Sequence, residues 1–156
     1  MKKRIAVFPG SFSPFTKGHE SVVLRGLSLF DEIIVSLGVN SSKEDYFSAE
    51  ERLNWINQIF KNYEKVKAMS YEGLTVDHCH NVGANYILRG LRNVQDFDYE
   101  MGIAQMNFSL MSKIETVFII TEPKFSHISS TLVRDVMKNG GNVNQFLPEG
   151  ISLDNR

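Results

Sequence analysis

Residues 8–19 read FPGSFSPFTKGH and continue the apolar run RIAVF. Gly10, Ser11, Ser13 and Pro14 spell a turn, and Gly18 and His19 stand where a helix would begin. Gly10 lets the backbone approach a ligand, and Ser11 adds a hydroxyl and an N–H. A histidine in the first turn of a helix lies beside N–H groups that have no partner within the helix, where the dipole favours an anion. An imidazole there is placed to donate to a phosphate oxygen. A turn that merely runs into an N-terminal histidine fits the same letters.

Two further stretches carry similar chemistry. The run ISST at 128–131 is first of all an N-cap, and it also offers hydroxyls and N–H groups at a second helix start. In ILRGLRNVQDFDYE, residues 87–100, Arg89 and Arg92 flank Gly90 and Leu91 just after an apolar run. Their planar guanidiniums suit phosphate oxygens, although loop arginines are as often only solvated. Lys43, in NSSKEDYF, is an exposed loop lysine by default and a candidate cation for the same pocket.

No Ser-His-Asp or Cys-His arrangement is suggested by position, and the GxxxxGK[ST] and GxGxxG loops are absent. Ser11, His19, Lys43, Arg89, Arg92 and Ser130 form instead an inventory of donors and cations. It fits phosphoryl or nucleotidyl transfer, in which the protein positions reactants and stabilises charge.

The elements that must position these residues are short β-branched runs alternating with helical patterns. The expected strands are 4–8, 32–39, 65–69, 85–89 and 115–120; the expected helices are about 18–30, 48–60, 75–83, 95–112 and 129–138. This order predicts an α/β fold: a single-domain, Rossmann-like, doubly wound parallel sheet of five strands with helices on both faces. No linker or repeat divides residues 1–156. Ligands collect at the carboxyl ends of such strands, so the loops after strands one, two, four and five should meet on one edge.

The 156 residues carry a formal net charge of -1, which argues against broad nucleic-acid binding. No apolar run approaches a membrane span, and the start MKKRIAVF is not a signal peptide. The single cysteine, Cys79, suits a reducing, cytoplasmic compartment. In DHCHN, neighbouring helical side chains point about 100° apart, so His78, Cys79 and His80 would not converge on a metal ion. A small buried thiol between surface histidines is the better reading.

Together, PGSF-SPFTKGH, ILRGLRNVQDFDYE and FSHISST resemble the phosphopantetheine adenylyltransferases, nucleotidyltransferases marked by T/HxGH (TKGH here) and ISSxxxR motifs. The resemblance runs from about Arg4 to Pro148, and RGLRxxxDFxYE is its most specific part. It implies transfer of the AMP moiety of ATP onto 4′-phosphopantetheine, giving dephospho-coenzyme A and pyrophosphate. It further implies that His19, Lys43 and Arg92 are catalytic, and that Ser11, Lys43, Thr75 and Arg89 bind the pantetheine substrate. Matching ATP-binding positions are Ser11, Phe12, His19, Gly90, Leu91, Arg92, Glu100, Phe125, Ser126, His127, Ile128, Ser129, Ser130 and Thr131. Mg²⁺ would come with ATP, without a dedicated cage of protein ligands. Where the family commonly has Asp, this chain has Ser13, which makes a similar but weaker local hydrogen bond in a turn. The shared TKGH motif does not choose among acceptors; the RGLR segment and Thr75 speak against nicotinate mononucleotide or glycerol phosphate.

The helical stretch DFDYEMGIAQMNFSLMS shows two apolar stripes, Phe97-Met101-Ala104-Phe108-Met111 and Tyr99-Ile103-Met106-Leu110. One is expected to face the sheet and the other a second subunit. The resemblance implies a homohexamer.

Overall fold

The five apolar runs become five parallel strands: β1 (Ile5–Gly10), β2 (Glu32–Gly38), β3 (Val66–Tyr71), β4 (Tyr86–Leu91) and β5 (Glu115–Ile120). They alternate with helices α1 (Lys17–Gly26), α2 (Ala49–Ile59), α3 (Thr75–Val82), α4 (Val94–Leu110) and α5 (Ser130–Lys138). The computed structural model describes residues 1–42 and 44–153.

Strand order is β3-β2-β1-β4-β5. The chain therefore winds one way from β1 to β3, then crosses to the far side of β1. Connections leave β1 and β4 in opposite directions, and a crevice opens where they part. Val7 lies beside Ile87 across this seam, a register that brings Arg89 to Pro9.

Alternation along the strands decides which layer each residue joins. Phe8, Ile33, Val35 and Leu88 pack with Val22, Val23 and Ile56, under α1 and α2. Val7, Ile34 and Ile87 face the other way, against Val76 and Cys79 of α3. Central strands covered on both sides need apolar residues at nearly every position, hence the unbroken IIV of β2. A third cluster, with Phe47, Val133, Met137 and Leu147, binds α5 and the segment after it to the loop before α2.

Three expectations change. β4 does not end at Arg89 but continues through Gly90 and Leu91, which pair with Ile119 and Ile120. His78 is buried, not at the surface: its ring stacks on Tyr71 at 4.3 Å and its Nε2 lies 2.8 Å from Ser36 Oγ. Burial lowers its pKa and pushes the Cys79 thiol up to about 12.

The third change concerns α4. Neither apolar stripe is covered along its length: Phe97, Met101 and Phe108 are exposed, as are Tyr99, Ile103, Met106 and Leu110. The first stripe meets the sheet side only through half-buried Ala104 and Met111 and the edge-on contact of Phe97 with Phe118. The buried residue of the helix is Glu100, and Glu100, Ala104 and Asn107, spaced i, i+4, i+7, line a cavity. Polar contacts with the site share in setting the helix rotation here, and most of both apolar stripes stays exposed. Among the described residues, no helix is long and apolar enough to cross a membrane.

Candidate active site

The turn after β1 delivers His19 through a reciprocal cap. The Thr16 hydroxyl accepts from the His19 N–H, and the Thr16 N–H donates to His19 Nδ1 at 3.0 Å. This is a capping box with histidine in the place usually held by Glu or Gln. Because Nδ1 accepts, the neutral ring carries its proton on Nε2. Desolvation, then the fields of Arg89 and Arg92, lower the His19 pKa to about 3. Phe12 and Phe15 pack on the ring, with centroids at 5.1 and 5.2 Å. His19 is therefore a fixed, uncharged donor.

The turn's carbonyls are gripped from three separate elements. Arg89 of β4 donates to Pro9 O, and Arg52 of α2 donates to Ser11 O at 2.7 Å. From α5, Arg134 donates to Ser13 O, and the Ser130 hydroxyl donates to Pro14 O at 2.8 Å. The space above Gly10 is filled from within: a Cβ there would meet the Phe12 ring at 2.7 Å. Glycine is required by that ring, and its backbone also lines the cavities described below. Phe12 itself sits at φ 47°, a left-handed conformation costing roughly 1–2 kcal/mol that its buried ring offsets.

The arginine pair is not free as expected. Arg89 Nε donates to Glu100 Oε2 at 2.8 Å, and Nη2 to Oε1. Arg92 holds Asp96 through two bonds of 2.9 and 3.1 Å. Burial alone would raise the Asp96 carboxyl, but its hydrogen bonds to Arg92 outweigh this and hold it below the usual carboxylate range. Each guanidinium is thus paired with a carboxylate that lines the same space.

Two cavities meet here. One, about 410 Å³, is lined by residues that include Phe12, His19, Gly90 and Arg92, together with Ile128, Ser129, Ser130 and Thr131. The other, about 330 Å³, contains Thr75, whose Oγ1 lies 2.8 Å from Tyr71 Oη. Ser11, Arg89 and Glu100 line both. The first cavity receives the N-termini of α1 and α5, the latter capped by Ser129, which accepts from the Leu132 N–H.

Some sequence-named residues stay outside these cavities. Leu91 is buried in β4. Phe125 ends a short 3₁₀ turn with the Lys124 ammonium 4.8 Å over its ring. The Ser126 hydroxyl donates to Pro123 O, and His127 packs edge-on against Phe146. Lys43 lies outside the described residues. Conversely, Arg52 and Tyr71 emerge only from the structure, and Asp96, quoted within RGLRxxxDFxYE, gains its partner Arg92 there. Arg52 left one trace: a charged residue four before Ile56, on the buried side of α2.

Among the described residues, no group of three His, Cys, Asp or Glu side chains could hold a metal ion. What the arrangement can do is bring two anionic reactants together under aimed donors.

A cytidylyltransferase-like family model matches residues 7–136. The chain is 50% identical over 150 residues to the phosphopantetheine adenylyltransferase of Flavobacterium psychrophilum, covering 96% of this chain and 99% of that one. It is 51% identical over 149 residues to that of Christiangramia forsetii, covering 96% and 97%. Among solved structures it is similar to a bifunctional NMN adenylyltransferase/ADP ribose pyrophosphatase from Francisella tularensis, with a TM-score of 0.75 at 16% identity. That superposition covers 96% of this chain and 46% of the bifunctional one, and it speaks to the fold alone.

Proposed function

The chain belongs to the phosphopantetheine adenylyltransferases, within the cytidylyltransferase-like family, and from that premise we propose how its residues perform the reaction. The enzyme transfers the adenylyl group of ATP to 4′-phosphopantetheine, giving dephospho-coenzyme A and pyrophosphate. ATP occupies the larger cavity and phosphopantetheine the smaller, their phosphates meeting beside Ser11 and Arg89. An oxygen of the acceptor phosphate forms the new bond to the α-phosphorus. The bond from that phosphorus to the bridging oxygen breaks, and its electron pair leaves with pyrophosphate.

The attacking phosphate is already anionic at neutral pH, so a strong general base is not needed. Repulsion between the reactants must be relieved, and charge growing on the α-phosphate must be met. His19 Nε2–H donates to an α-phosphate oxygen. Arg92 exchanges Asp96 for ATP phosphates, and Arg89 exchanges Glu100 for the acceptor phosphate. Lys43, named by the resemblance, would add a further cation. Ser129, Ser130 and Thr131 present the α5 N-terminus to the leaving pyrophosphate, and Thr75 holds the pantetheine arm. Mg²⁺ would come with ATP, as part of the substrate, to offset the charge of its phosphates.

Residues 1–156 act as one catalytic domain in the cytoplasm, assembled as a homohexamer through α4. The observation that carries the reading is the junction of two cavities at Ser11, Arg89 and Glu100, with a tautomerically fixed imidazole lining the larger. The test is pyrophosphate release from ATP with phosphopantetheine, nicotinate mononucleotide or glycerol phosphate as acceptor. Turnover with phosphopantetheine alone is expected. Preference for either other acceptor, or no release at all, overturns it.

A further inference from the structure

Arg52 is the most deeply buried charged side chain among the described residues, at 1% exposure, and it lines neither cavity described above. Isolating a charge from water is costly unless it is paired and fully hydrogen-bonded. Arg52 meets that demand with three partners: Ser48 O at 3.3 Å, Ser11 O at 2.7 Å and Asp45 Oδ2 at 2.7 Å. A methionine or leucine would fill the same space without this cost, so the guanidinium calls for a reason beyond packing.

The reason lies in what Ser11 O is joined to. The Ser11–Phe12 peptide is trans, since the one cis bond among the described residues is Ser13–Pro14. In a trans peptide the carbonyl and the following N–H point in opposite directions. With Ser11 O drawn back to Arg52, the Phe12 N–H points forward, away from α2. No backbone or side-chain acceptor among the described residues takes that N–H. Ser11 and Phe12 both line the larger cavity. A charged donor on the carbonyl also polarises the peptide and strengthens its N–H as a donor.

We infer that Arg52 is a positioning residue: from behind the turn it fixes the Ser11–Phe12 peptide plane so that the Phe12 N–H meets the reacting phosphate. This rests on the adenylyl-transfer reading, because the group to be met is the charge developing in that step. Asp45 is the counter-ion that lets the guanidinium remain charged and in plane. A lysine cannot replace the fork, since one ammonium lacks the planar geometry that reaches three acceptors in fixed directions.

The wild-type enzyme is first assayed with ATP and phosphopantetheine, so that failure of the reaction itself is recognised separately. In Arg52→Lys, kcat is expected to fall about 10- to 100-fold while both KM values stay within about threefold, as for a donor needed mainly in the transition state. Ile56→Val, also buried on α2, supplies a stability control: its Tm falls but its kcat holds. Arg52→Lys with kcat within twofold of wild type, or a loss reproduced by Ile56→Val, overturns the inference. Should Arg52→Lys not fold, the wild-type Phe12 amide decides by ¹⁵N-resolved NMR. It is expected to move downfield when ATP is added without acceptor; an unmoved resonance overturns the inference equally.

Discussion

His19 shows how one side chain acquires a role from the neighbours it touches and from two charges it does not. The Thr16 N–H selects the tautomer, and burial with the fields of Arg89 and Arg92 removes the charge. His19→Ala is expected to fold normally by circular dichroism and to lose about 100- to 1000-fold in turnover. The lowered pKa has a consequence for stability. Unfolded chains take up a proton near pH ~6.5, whereas the folded imidazole does so only at about 3. As pH falls through that window the unfolded state binds more protons, so the folded state loses ground; above it, His19 has no effect. Urea unfolding at pH 7.5 and pH 5 should show a smaller loss for His19→Gln than for wild type. Thr75 is a simpler case. Its hydroxyl pairs with Tyr71 and lines the smaller cavity. Thr75→Val should raise the KM for phosphopantetheine about 3- to 10-fold, the value of one hydrogen bond, and leave that for ATP unchanged in steady-state kinetics.

Among the elements, the contact of α1 with β4 is the one on which the site turns. β4 carries Arg89 and α1 carries His19, and they approach across Gly90, where a Cβ would lie 2.9 Å from Val22 Cγ2. That γ-carbon cannot retreat, because Val22 is buried at 2% exposure. Gly90→Ala should cost about 1–3 kcal/mol by urea denaturation and reduce turnover by moving His19 away from Arg89. Adding Val22→Ala should restore most of the turnover; a double variant as impaired as the single one would show that the contact is not the cause. The helix-start signals were legible where the chemistry is local. Ser48 and Glu51, three residues apart at the start of α2, make the reciprocal cap that this spacing favours. The Thr16–His19 cap was missed, since histidine rarely takes the third position of a capping box.

At the scale of the whole molecule, α4 is the unfinished surface. Tyr99 is 71% exposed and Met106 65%, and Ile120 on the edge strand β5 is 73% exposed. Apolar residues of that size, exposed in such number on one helix and a sheet edge, are expected to be covered by another chain. Sedimentation at micromolar concentration should find an assembly of several chains. Met106→Glu should shift it toward smaller species while leaving the secondary structure intact. A wild-type monomer under those conditions would remove the proposed assembly.

The sequence by itself determined the α/β alternation, the five strands to within a few residues, and the TKGH, RGLR and ISST segments as the places to look. These are local matters: apolar period, capping residues and turn chemistry are written within a dozen neighbours. What only the tertiary structure decided was how those segments face one another. Strand order set β1 beside β4 and so Pro9 beside Arg89. The rotation of α4 turned Glu100 inward and left most of its apolar stripes outside. The pairing of Arg89 and Arg92 with carboxylates neutralised cations that had read as free. Arg52 became a support for the turn only because α2 passes behind Ser11. Each depends on contacts between residues far apart in the chain, where geometry is fixed by the packing of layers and by the need to satisfy every buried charge, and no local pattern records either.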